Sequence, residues 1–412
     1  MSSKAASAMS EENNEKAALV PRLRFPEFLE AAGWKAMELD KLISTVTPPK
    51  KIPTTEYLAE GQFPIIDQGQ SDIAGWTNDP SAPIKDDEPL IIFGDHTCAL
   101  KVARRPFAQG ADGIKIFKGN GLATTEFLYQ HLCFRPVLPE EYKRHFSILK
   151  DKVIAYPEAK NGEQQKIADC LSSLDELIAA ETQKLDALKT HKKGLMQQLF
   201  PREGETAPRL RFPEFKEARE WEEKTLGRLG ELVSGLTYSP DDVREEGLLV
   251  LRSSNVQDGM IVLDDNVYVR ADINGANLSK PNDILICVRN GSKSLIGKNT
   301  LIPEGMPPCT HGAFMTVFRS SSAKFIIQLF QTEAYEKQVA ADLGATINSI
   351  NGNQLKKYMF LVPKSEEQKV IADFLASLDD LIAAQSQKID ALKTHKKGLM
   401  QQLFPVLDEV PA

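Results

Sequence analysis

The feature that most constrains the fold is a 39-residue segment that occurs twice. Glu163 to Pro201 recurs as Glu367 to Pro405 at a constant offset of 204, and 31 of the 39 aligned positions are identical. The last sixteen letters of each copy are the same, DALKTHKKGLMQQLFP. A repeat this close constrains the architecture before any local pattern does. The chain therefore carries one structural element at two places.

Hydrophobic spacing predicts that both copies are long helices. Their apolar residues step alternately by four and three, which is the a/d spacing of a coiled-coil seam. Each helix would run about 40 residues, or roughly 60 Å at 1.5 Å per residue. Asn161 with Gln164, and Ser365 with Gln368, stand where an N-cap and its capping-box partner belong. Phe-Pro ends each copy, since proline disfavours helix in the preceding residue.

Polar residues inside the two apolar seams predict how the helices pair. A parallel in-register pairing would place Lys192 against Lys396, two like charges. An antiparallel pairing whose residue numbers sum to about 577 avoids this, whereas a shift by one heptad would set Glu181 against Ile389 as an unpaired polar group. We therefore predict an antiparallel coiled coil; the alternative is that each helix packs only on its own globular segment. The facing pairs of the predicted register are Glu181 with Lys396, Lys192 with Gln385, and Leu188 with Ile389.

A second, shorter repeat divides the chain into two tandem halves. PRLRFPEF at Pro21–Phe28 recurs at Pro208–Phe215, and Trp34 is matched by Trp221. Each half thus consists of this motif, a globular segment and a long helix. The globular segments show no recognisable similarity to each other, so the sequence predicts a common scaffold that carries two different readers. The predicted fold class is α+β, a pseudo-twofold tandem repeat of two globular domains joined by the helical pair.

Composition shifts mark the predicted boundaries. The first twenty residues are small, polar and charged, which is typical of disorder. The predicted divisions are a disordered tail at 1–20, a first globular domain at 21–157, a first helix at 158–201, a linker with the second motif at 202–221, a second globular domain at 222–362, a second helix at 363–405 and a C-terminal tail at 406–412.

Both globular segments alternate short apolar runs with turn residues, a pattern that predicts short strands. In the first, the predicted elements are strands at Phe63–Ile66, Leu90–Phe93 and Ile114–Phe117 and a helix at Thr125–Phe134. In the second, they are strands at Leu248–Leu251, Gly259–Leu263, Asp283–Val288 and Phe314–Phe318 and a helix at Lys324–Leu343.

Composition excludes several classes of protein. With 42% hydrophobic residues, 26% charged residues and a net charge of −7, the chain reads as an ordinary globular protein. Its mild acidity argues against extensive coating by nucleic acid but leaves room for a local basic groove. No apolar run approaches the roughly 20 residues of a membrane span, and no signal peptide is seen. Five scattered cysteines without a CxxC indicate neither a disulfide framework nor a metal site, so we expect a reduced, cytoplasmic protein.

Basic and polar residues cluster once in each globular segment. Ala99–Lys118 has a formal charge of +4, and Arg289–Ser294 with Lys298 follows the strongest predicted strand of the second segment. A basic cluster is most often a solvated face, but lysine and arginine beside asparagine, serine and glutamine also suit phosphate and base-edge contacts. In the first segment the candidate phosphate contacts are Lys101, Arg104, Arg105 and Lys115, and the candidate base readers are Gln68, Gln70 and His96. In the second segment the candidates are Arg252, Asn255, Arg289, Asn290, Ser292, Lys293 and Lys298.

No catalytic motif emerges. Gly291–Lys298 departs from a phosphate loop, because one residue too many separates its glycines and Asn299 stands where serine or threonine should follow the lysine. Asp95-His96 has no assignable nucleophile. The chain is therefore predicted not to be an enzyme.

Together these features resemble the specificity subunit of type I restriction–modification systems. The resemblance covers nearly the whole chain after residue 20. It rests most on EQQKIADCL at Glu163 and EQKVIADFL at Glu367, each followed by THKKGLMQQLF. Gly94–Thr97 with Gln109–Lys115, and Asn290–Ser292 with Gly297-Lys298, also look like pieces of target-recognition domains of this family, as does 346–350 before the second helix.

The resemblance implies a non-catalytic DNA reader. Each target-recognition domain would read one half of a split site in double-stranded DNA, and the helical pair would set the unread gap. Two modification subunits would dock and bring S-adenosylmethionine, and motor-nuclease restriction subunits with ATP and Mg would join for cleavage in phage defence. No cofactor is implied on this chain itself. The runner-up hypothesis is a coiled-coil adaptor that gathers two copies of a partner without reading DNA; a third is an enzyme with an unrecognised active site.

Overall fold

The computed structural model describes residues 19–111, 113–140, 144–257, 259–345 and 348–405. Nearly all of the predicted N-terminal tail and the whole C-terminal tail lie outside this part, as do Asp112, Thr346 and Ile347. The chain divides into two compact units. Unit 1 comprises the described residues of Met1–Thr182 and Gln387–Ala412, and unit 2 comprises Gln183–Ser386. Each unit therefore contains one globular segment, the beginning of the long helix that follows it, and the end of the other long helix.

The globular segment of unit 1 is built on two four-stranded sheets. One has the order β2-β9-β6-β7 and is antiparallel throughout; the other has the order β4-β3-β8-β5, with β3 and β8 parallel. A ribbon of β1 and β10 joins the ends of the segment. The elements are β1 (Lys35–Glu38), β2 (Ile43–Thr45), β3 (Phe63–Ile66), β4 (Gly75–Thr77), β5 (Pro83–Ile84), β6 (Leu90–Gly94), β7 (Leu100–Ala103), β8 (Phe107–Gln109), β9 (Ile114–Gly119), α1 (Thr125–Phe134), α2 (Phe146–Lys150) and β10 (Val153–Tyr156).

Unit 2 begins within the first long helix, α3 (Glu163–Leu199), and its globular segment again has two four-stranded sheets. Their orders are β12-β21-β18-β19 and β13-β17-β14-β20, and β11 pairs with β22. The elements are β11 (Glu222–Thr225), α4 (Leu226–Leu229), β12 (Glu231–Ser234), β13 (Val243–Arg244), β14 (Leu248–Leu251), β15 (Val256–Gln257), β16 (Met260–Ile261), β17 (Val267–Val269), β18 (Ile284–Cys287), β19 (Asn299–Leu301), β20 (Cys309–His311), β21 (Met315–Arg319), α5 (Ala323–Leu329), α6 (Glu333–Ala345), α7 (Gly352–Leu355), β22 (Met359–Val362) and the second long helix, α8 (Ser365–Leu403).

The two globular segments share a common sheet arrangement, although their sequences show no recognisable similarity to each other. In each unit the first sheet is antiparallel and places the counterparts β2 and β12, β9 and β21, β6 and β18, and β7 and β19 in the same order. In each unit the second sheet contains the same parallel pair, β3 with β8 and β14 with β20. The second sheets differ in their outer strands, with the orders β4-β3-β8-β5 and β13-β17-β14-β20. The prediction of two different readers concerns what each segment binds and stays a prediction. The predicted strands are confirmed in place, although Gly259–Leu263 shortens to β16 and the predicted helix Lys324–Leu343 is broken into α5 and α6.

Both long helices, Glu163–Leu199 and Ser365–Leu403, begin and end within two residues of the bounds of the repeat. The capping-box prediction is wrong for the first helix, because Asn161 Oδ1 accepts the N–H of Glu163 while the amide of Gln164 bonds to the backbone of Leu122, Thr124 and Pro157. At the other end, Phe200 enters the core of unit 2 and Phe404 enters the core of unit 1. Each helix thus ends in the core of the other half's globular segment, so the alternative in which each helix packs only on its own segment is excluded.

The PRLRFPEF motif repeats because it is bonded to the start of a long helix in each unit. Arg24 forms two hydrogen bonds of 2.7 Å to the carboxylate of Glu163, and its side chain and that of Glu163 are 4% and 0% exposed. The same guanidinium donates to the carbonyls of Ala31 and Ala32, and Trp34 Nε1 also donates to Glu163. A buried, bidentate pair of this kind is strongly directional.

Unit 2 contains the same arrangement. Arg211 makes two bonds of 2.7 Å to Glu367 and donates to the carbonyls of Ala218 and Arg219. The N–H of Leu210 donates to the carbonyl of Gln198 at 2.9 Å. These contacts explain why the short motif and the first residue of the long helix recur together.

Ion pairs within each unit correct the predicted helix register. In unit 1, Lys396 bonds to Asp175 at 2.6 and 2.7 Å rather than to Glu181, and Glu181 pairs with Lys388. The two pairs run in opposite directions along the helices, so the predicted antiparallel direction is confirmed within this unit. Their residue numbers sum to about 570 rather than 577, which is the register one heptad away. In this register Glu181 lies opposite Ile389, but it is not left unpaired, because Lys388 next to Ile389 neutralises its charge.

The ion pair of unit 2 shows the same shift of the helix register by one heptad. Lys192 pairs with Asp379 at 2.6 Å and also donates to Gln331, and the residue numbers of the ion pair again sum to about 570 rather than to the 577 predicted for Lys192 facing Gln385. The predicted facing of Leu188 and Ile389 would join the two units and stays a prediction.

A glutamine from the globular segment completes each of these ion pairs. Gln130 on α1 donates to Asp175 at 2.9 Å in unit 1, and Gln328 on α5 donates to Asp379 at 2.8 Å in unit 2. The heptad pattern of the two helices does not reveal this register, because the lysines bond to aspartates that flank the seam. The globular segments orient these aspartates.

Candidate nucleic-acid interface

Three loops converge at one edge of the unit 1 sheets. They follow β3 (67–71), connect β6 to β7 (95–99), and connect β8 to β9 (110–111 and 113 of the described residues). Thr97 Oγ1 donates to the carbonyl of Gln68 at 2.6 Å, and the N–H of Asp95 donates to the carbonyl of Gly113 at 2.7 Å. The N–H of Gly110 donates to the carbonyl of Ile66. These bonds fix the three loops into one surface, and Gln68 and His96, two of the predicted base readers, lie on it.

The side chain of Gln68 packs over Gly113. Gly113 has a φ of +99°, which favours glycine, and a Cβ there would lie 2.6 Å from Gln68 Oε1, so a larger residue would also displace the end of the Gln68 side chain. Gln68 Oε1 is buried and accepts no hydrogen bond from any residue in the described ranges. A buried acceptor without a donor costs free energy, which is tolerated most often where a residue serves something other than the fold.

The side chain of Lys101 lies beneath the surface of the three loops and does not project from it. Its side chain is buried, and Nζ donates to the carbonyls of Asp67 and Ser71 at 3.0 and 2.5 Å. Burial lowers its pKa. The predicted phosphate contact is therefore wrong for Lys101: its ammonium is already bonded inside the loop that carries Gln68 and Gln70.

The other predicted cations of unit 1 are exposed, but not all are equally available. Arg104 makes a bidentate pair with Glu126 at 2.7 and 2.9 Å, which raises the pKa of the guanidinium and partly cancels its charge. Arg105 is exposed, and the ammonium of Lys115 lies 5.9 Å over the ring of Phe146. Gln70 is exposed and His96 is half-buried in the turn after β6. Arg105, Lys115, Gln70 and His96 remain candidates.

Unit 2 builds the equivalent surface from different residues. Its loops follow β14 (252–255), connect β18 to β19 (288–298), and connect β20 to β21 (312–314). Asn290 Nδ2 donates to Ser253 Oγ at 3.0 Å, and the N–H groups of Val288 and Arg289 both donate to the carbonyl of Phe314, at 3.0 and 3.1 Å. The N–H of Gly312 donates to the carbonyl of Leu251, as Gly110 does to Ile66 in unit 1. The same three connections therefore converge in both units.

Asn255 is a structural residue. It is 0% exposed, its Oδ1 accepts the N–H of Arg252, and its Nδ2 donates to the carbonyl of Val262. All its hydrogen-bonding groups hold the loop after β14, so its prediction as a DNA contact is wrong. Arg252 is half-buried and bonds to Asp265 at 2.8 Å, which leaves it less available than its sequence context indicated.

The remaining candidates of unit 2 cluster as predicted. Arg289, Ser292, Lys293 and Lys298 are exposed in the β18–β19 connection, and Asn290 holds that loop by accepting the N–H of Ser292. Sequence reasoning missed Phe314, a residue that is 57% exposed and whose ring centroid lies 5.8 Å from the guanidinium carbon of Arg289. A phenylalanine at a strand start reads as core, so only the structure could single it out.

The other motifs of the sequence are structural. Asp95 Oδ1 accepts the N–H of Phe146, and its carbonyl accepts the N–H of His145, so Asp95-His96 forms a turn. His311 is buried with both ring nitrogens bonded, to Ser279 Oγ and the carbonyl of Val233, and burial lowers its pKa.

Across the described ranges, no group of three or more His, Cys, Asp or Glu side chains could hold a metal ion. Among the helices described, none is long and apolar enough to cross a membrane.

Comparison with known proteins identifies the second half of the chain most clearly. Residues 218–394 match the family model described as type I restriction modification DNA specificity domain. The chain is 26% identical over 193 residues to the type I restriction enzyme StySPI specificity subunit of Salmonella potsdam, a match that covers 44% of this chain and 40% of that relative. It is 26% identical over 411 residues to the MjaVIII specificity subunit of Methanocaldococcus jannaschii, which covers 93% of both chains.

A solved structure shares the fold. The crystal structure of the type I restriction–modification system S subunit from M. genitalium superimposes with a TM-score of 0.65, covering 94% of this chain and 100% of that one, at 16% sequence identity. At this identity the likeness concerns the fold, which is mixed α and β in both.

Proposed function

Because the chain belongs to the family of type I restriction–modification specificity subunits, we propose that it is the DNA-recognition subunit of such a complex, and that its two globular segments are target-recognition domains, each reading one half of a bipartite site. One observation carries this proposal. Both units bring the same three loops together, yet they fill the centre of that surface with different chemistry. Unit 1 places Gln68 over Gly113, and unit 2 places Arg289 over Phe314. A shared frame with dissimilar side chains suits two readers of unlike sequences.

The side chains on these surfaces suit major-groove readout. Glutamine pairs with the N6 and N7 positions of adenine, and arginine pairs with O6 and N7 of guanine. The exposed Lys293 and Lys298 beside Arg289 suit phosphates, which hold a protein in register without reading sequence.

The two long helices form one antiparallel coiled coil in this proposal and set the unread gap between the half-sites. Its register follows the ion pairs of Lys396 with Asp175 and of Lys192 with Asp379. The sixteen-residue sequence that ends both helices offers the same docking surface twice, which suits two identical modification subunits.

Chemistry belongs to the partners. S-adenosylmethionine would act on the modification subunits, and ATP and Mg on the motor-nuclease subunits, while this chain selects the site and performs no catalysis. The complex would act in the cytoplasm, and the five free cysteines suit that reducing compartment.

The test is selection from a random DNA library. The full chain and its modification subunit would be incubated with duplexes that carry two random windows separated by variable gaps, and bound DNA would be sequenced. We expect enrichment of one split motif at one gap length. Arg289→Ala should relax one half-site only, at a cost of about 1–3 kcal/mol. Arg228→Ala, an exposed arginine on α4 outside the three loops, is the matched control.

The adaptor hypothesis gives the opposite result. If the chain only gathers two copies of a partner, the complex assembles but no motif is enriched, and Arg289→Ala behaves like Arg228→Ala. Metal- or cofactor-dependent turnover of DNA by the isolated chain would instead reveal an enzyme.

A further inference from the structure

We propose that Arg289 and Phe314 act as a single base-reading pair, in which the guanidinium binds a guanine and the phenyl ring contacts the C5-methyl group of a thymine one or two base steps away. The inference rests on the proposed function and names the chemistry of one half-site, a guanine next to or near a thymine in the major groove.

The backbone of Phe314 is held rigidly at the centre of the unit 2 surface. Its carbonyl accepts two hydrogen bonds, from Val288 and Arg289, and the next residue donates its N–H to the carbonyl of Gly312. The residue is nevertheless 57% exposed. The fold gains little from an exposed phenyl ring, so a rigid position without burial points to a contact outside the chain.

The position of Arg289 limits the ways in which the Phe314 ring can contact DNA. Its guanidinium carbon lies 5.8 Å from the centroid of the Phe314 ring, a cation–π arrangement that covers one face of the phenyl group. A ring with one covered face cannot slide between two base pairs as a wedge. The ring edge and its free face remain available for a small apolar group.

The major groove offers both partners side by side. Guanine presents O6 and N7, which suit a bidentate arginine, and thymine presents its methyl group, which suits an apolar side chain. The minor groove shows no methyl group. A separation of 5.8 Å corresponds to between one and two base steps of about 3.4 Å.

Unit 1 fills the equivalent position in another way. Its counterpart of Phe314 is Gly113, where a Cβ would collide with the side chain of Gln68. Unit 1 therefore presents an amide where unit 2 presents an arginine and a phenyl ring. The inference accordingly applies to one half-site only, and the other half-site is its internal control.

Single exposed apolar residues are common on protein surfaces, so the experiment needs a matched one. Leu278 lies in the same unit, is 55% exposed, and belongs to none of the three loops. Leu278→Ala is the control for Phe314→Ala.

The experiment removes one methyl group from the DNA. Once the split site is known, each thymine of the half-site read by unit 2 is replaced by uracil, and binding by the full complex is measured. We expect one uracil to weaken binding about three- to fivefold, the value of one buried methyl group. Phe314→Ala should weaken binding to thymine DNA by at least as much and should make the complex indifferent to that uracil. Phe314→Leu and Leu278→Ala should both keep the sensitivity.

Several results would overturn the inference. One is a half-site with no guanine within two base steps of a thymine. Another is a wild-type complex that is indifferent to uracil at every thymine, and a third is a Phe314→Ala complex that remains sensitive. A rise in 2-aminopurine fluorescence at this step that Phe314→Ala abolishes would show a wedge instead. A wild-type complex without any sequence preference would overturn the proposed function as well. A complex that prefers a sequence but gives one of the results above would overturn this inference alone.

Discussion

The buried pair of Arg24 and Glu163 is the contact whose loss should be felt most sharply. We predict that Arg24→Met opens the N-terminal motif of unit 1 without unfolding the rest of that unit. The change leaves the carboxylate of Glu163, which is 0% exposed, with Trp34 Nε1 at 3.3 Å, and it removes the donor to the carbonyls of Ala31 and Ala32.

The magnitude follows from burial. Removing one partner of a buried ion pair costs about 3–5 kcal/mol, because the remaining charge is uncompensated. At about 1.4 kcal/mol per factor of ten, local opening should become more frequent by roughly two to three and a half orders of magnitude. The double variant Arg24→Met with Glu163→Met should cost less than Arg24→Met alone, since no charge is left buried.

Hydrogen exchange measured by mass spectrometry reads this opening directly. The N–H of Trp34 donates to the carbonyl of Leu19 at 2.7 Å, and the N–H of Leu23 donates to that of Gln402 at 3.0 Å, so both amides should exchange faster in the variant. Arg209→Met, which breaks an exposed arginine–glutamate pair, should change exchange less than tenfold. The reasoning fails if Arg24→Met behaves like this control, or if the double variant is the more destabilised.

Three further predictions concern the loops, the core and the helix pair. Lys101→Met removes the donor to the carbonyls of Asp67 and Ser71, so it should weaken DNA binding. The slope of the logarithm of the binding constant against the logarithm of the salt concentration should not change, whereas a flatter slope would show that Lys101 contacts a phosphate. Burial lowers the pKa of His131 to about 3, so the unfolded chain binds a proton below about pH 6.5 while the folded chain does not, and stability is lost as pH falls from there. This histidine should contribute up to about 1.4 kcal/mol of lost stability per pH unit, measured in urea unfolding as the difference in slope between the wild-type chain and His131→Leu; equal slopes contradict the assignment. Lys396→Met removes the ion pair with Asp175, whose side chain is 43% exposed, so it should speed amide exchange in the part of α8 that belongs to unit 1 by less than about tenfold, whereas replacing Lys397, an exposed neighbour, should not change it.

The sequence predicted the elements that depend on periodicity and repetition. The long helices, the helix at Thr125–Phe134 and most short strands appear where their patterns placed them. Such features are local, so a single sequence contains the information to find them.

It could not predict contacts that come from distant segments. The helix register depends on Gln130 and Gln328, which belong to the globular segments and orient the aspartates that pair with the lysines. The shared fold of the two segments was hidden for a similar reason. Strand order is set by burial and pairing, which many unlike sequences can satisfy.

For the candidate site residues, the sequence predicted where they lie better than it predicted what their side chains do. The chosen residues of unit 2 and the three glutamine and histidine candidates of unit 1 do lie in the converging loops, because polar residues after buried strands mark loop starts. The four chosen cations of unit 1 lie elsewhere, on β7, on β9 and between β7 and β8. Lys101 and Asn255 then proved to hold those loops from inside, and Phe314 was not chosen. Residue type alone cannot separate a side chain that builds a loop from one that the loop presents.

The most direct test of DNA recognition is a map of methylated adenines in cells that contain the modification partner, with and without this chain. The account predicts that deleting the chain abolishes methylation at one split motif, and that replacing residues 35–157 by another reader changes one half-site only. An unchanged methylation map, with the partner shown to be active, would contradict the account.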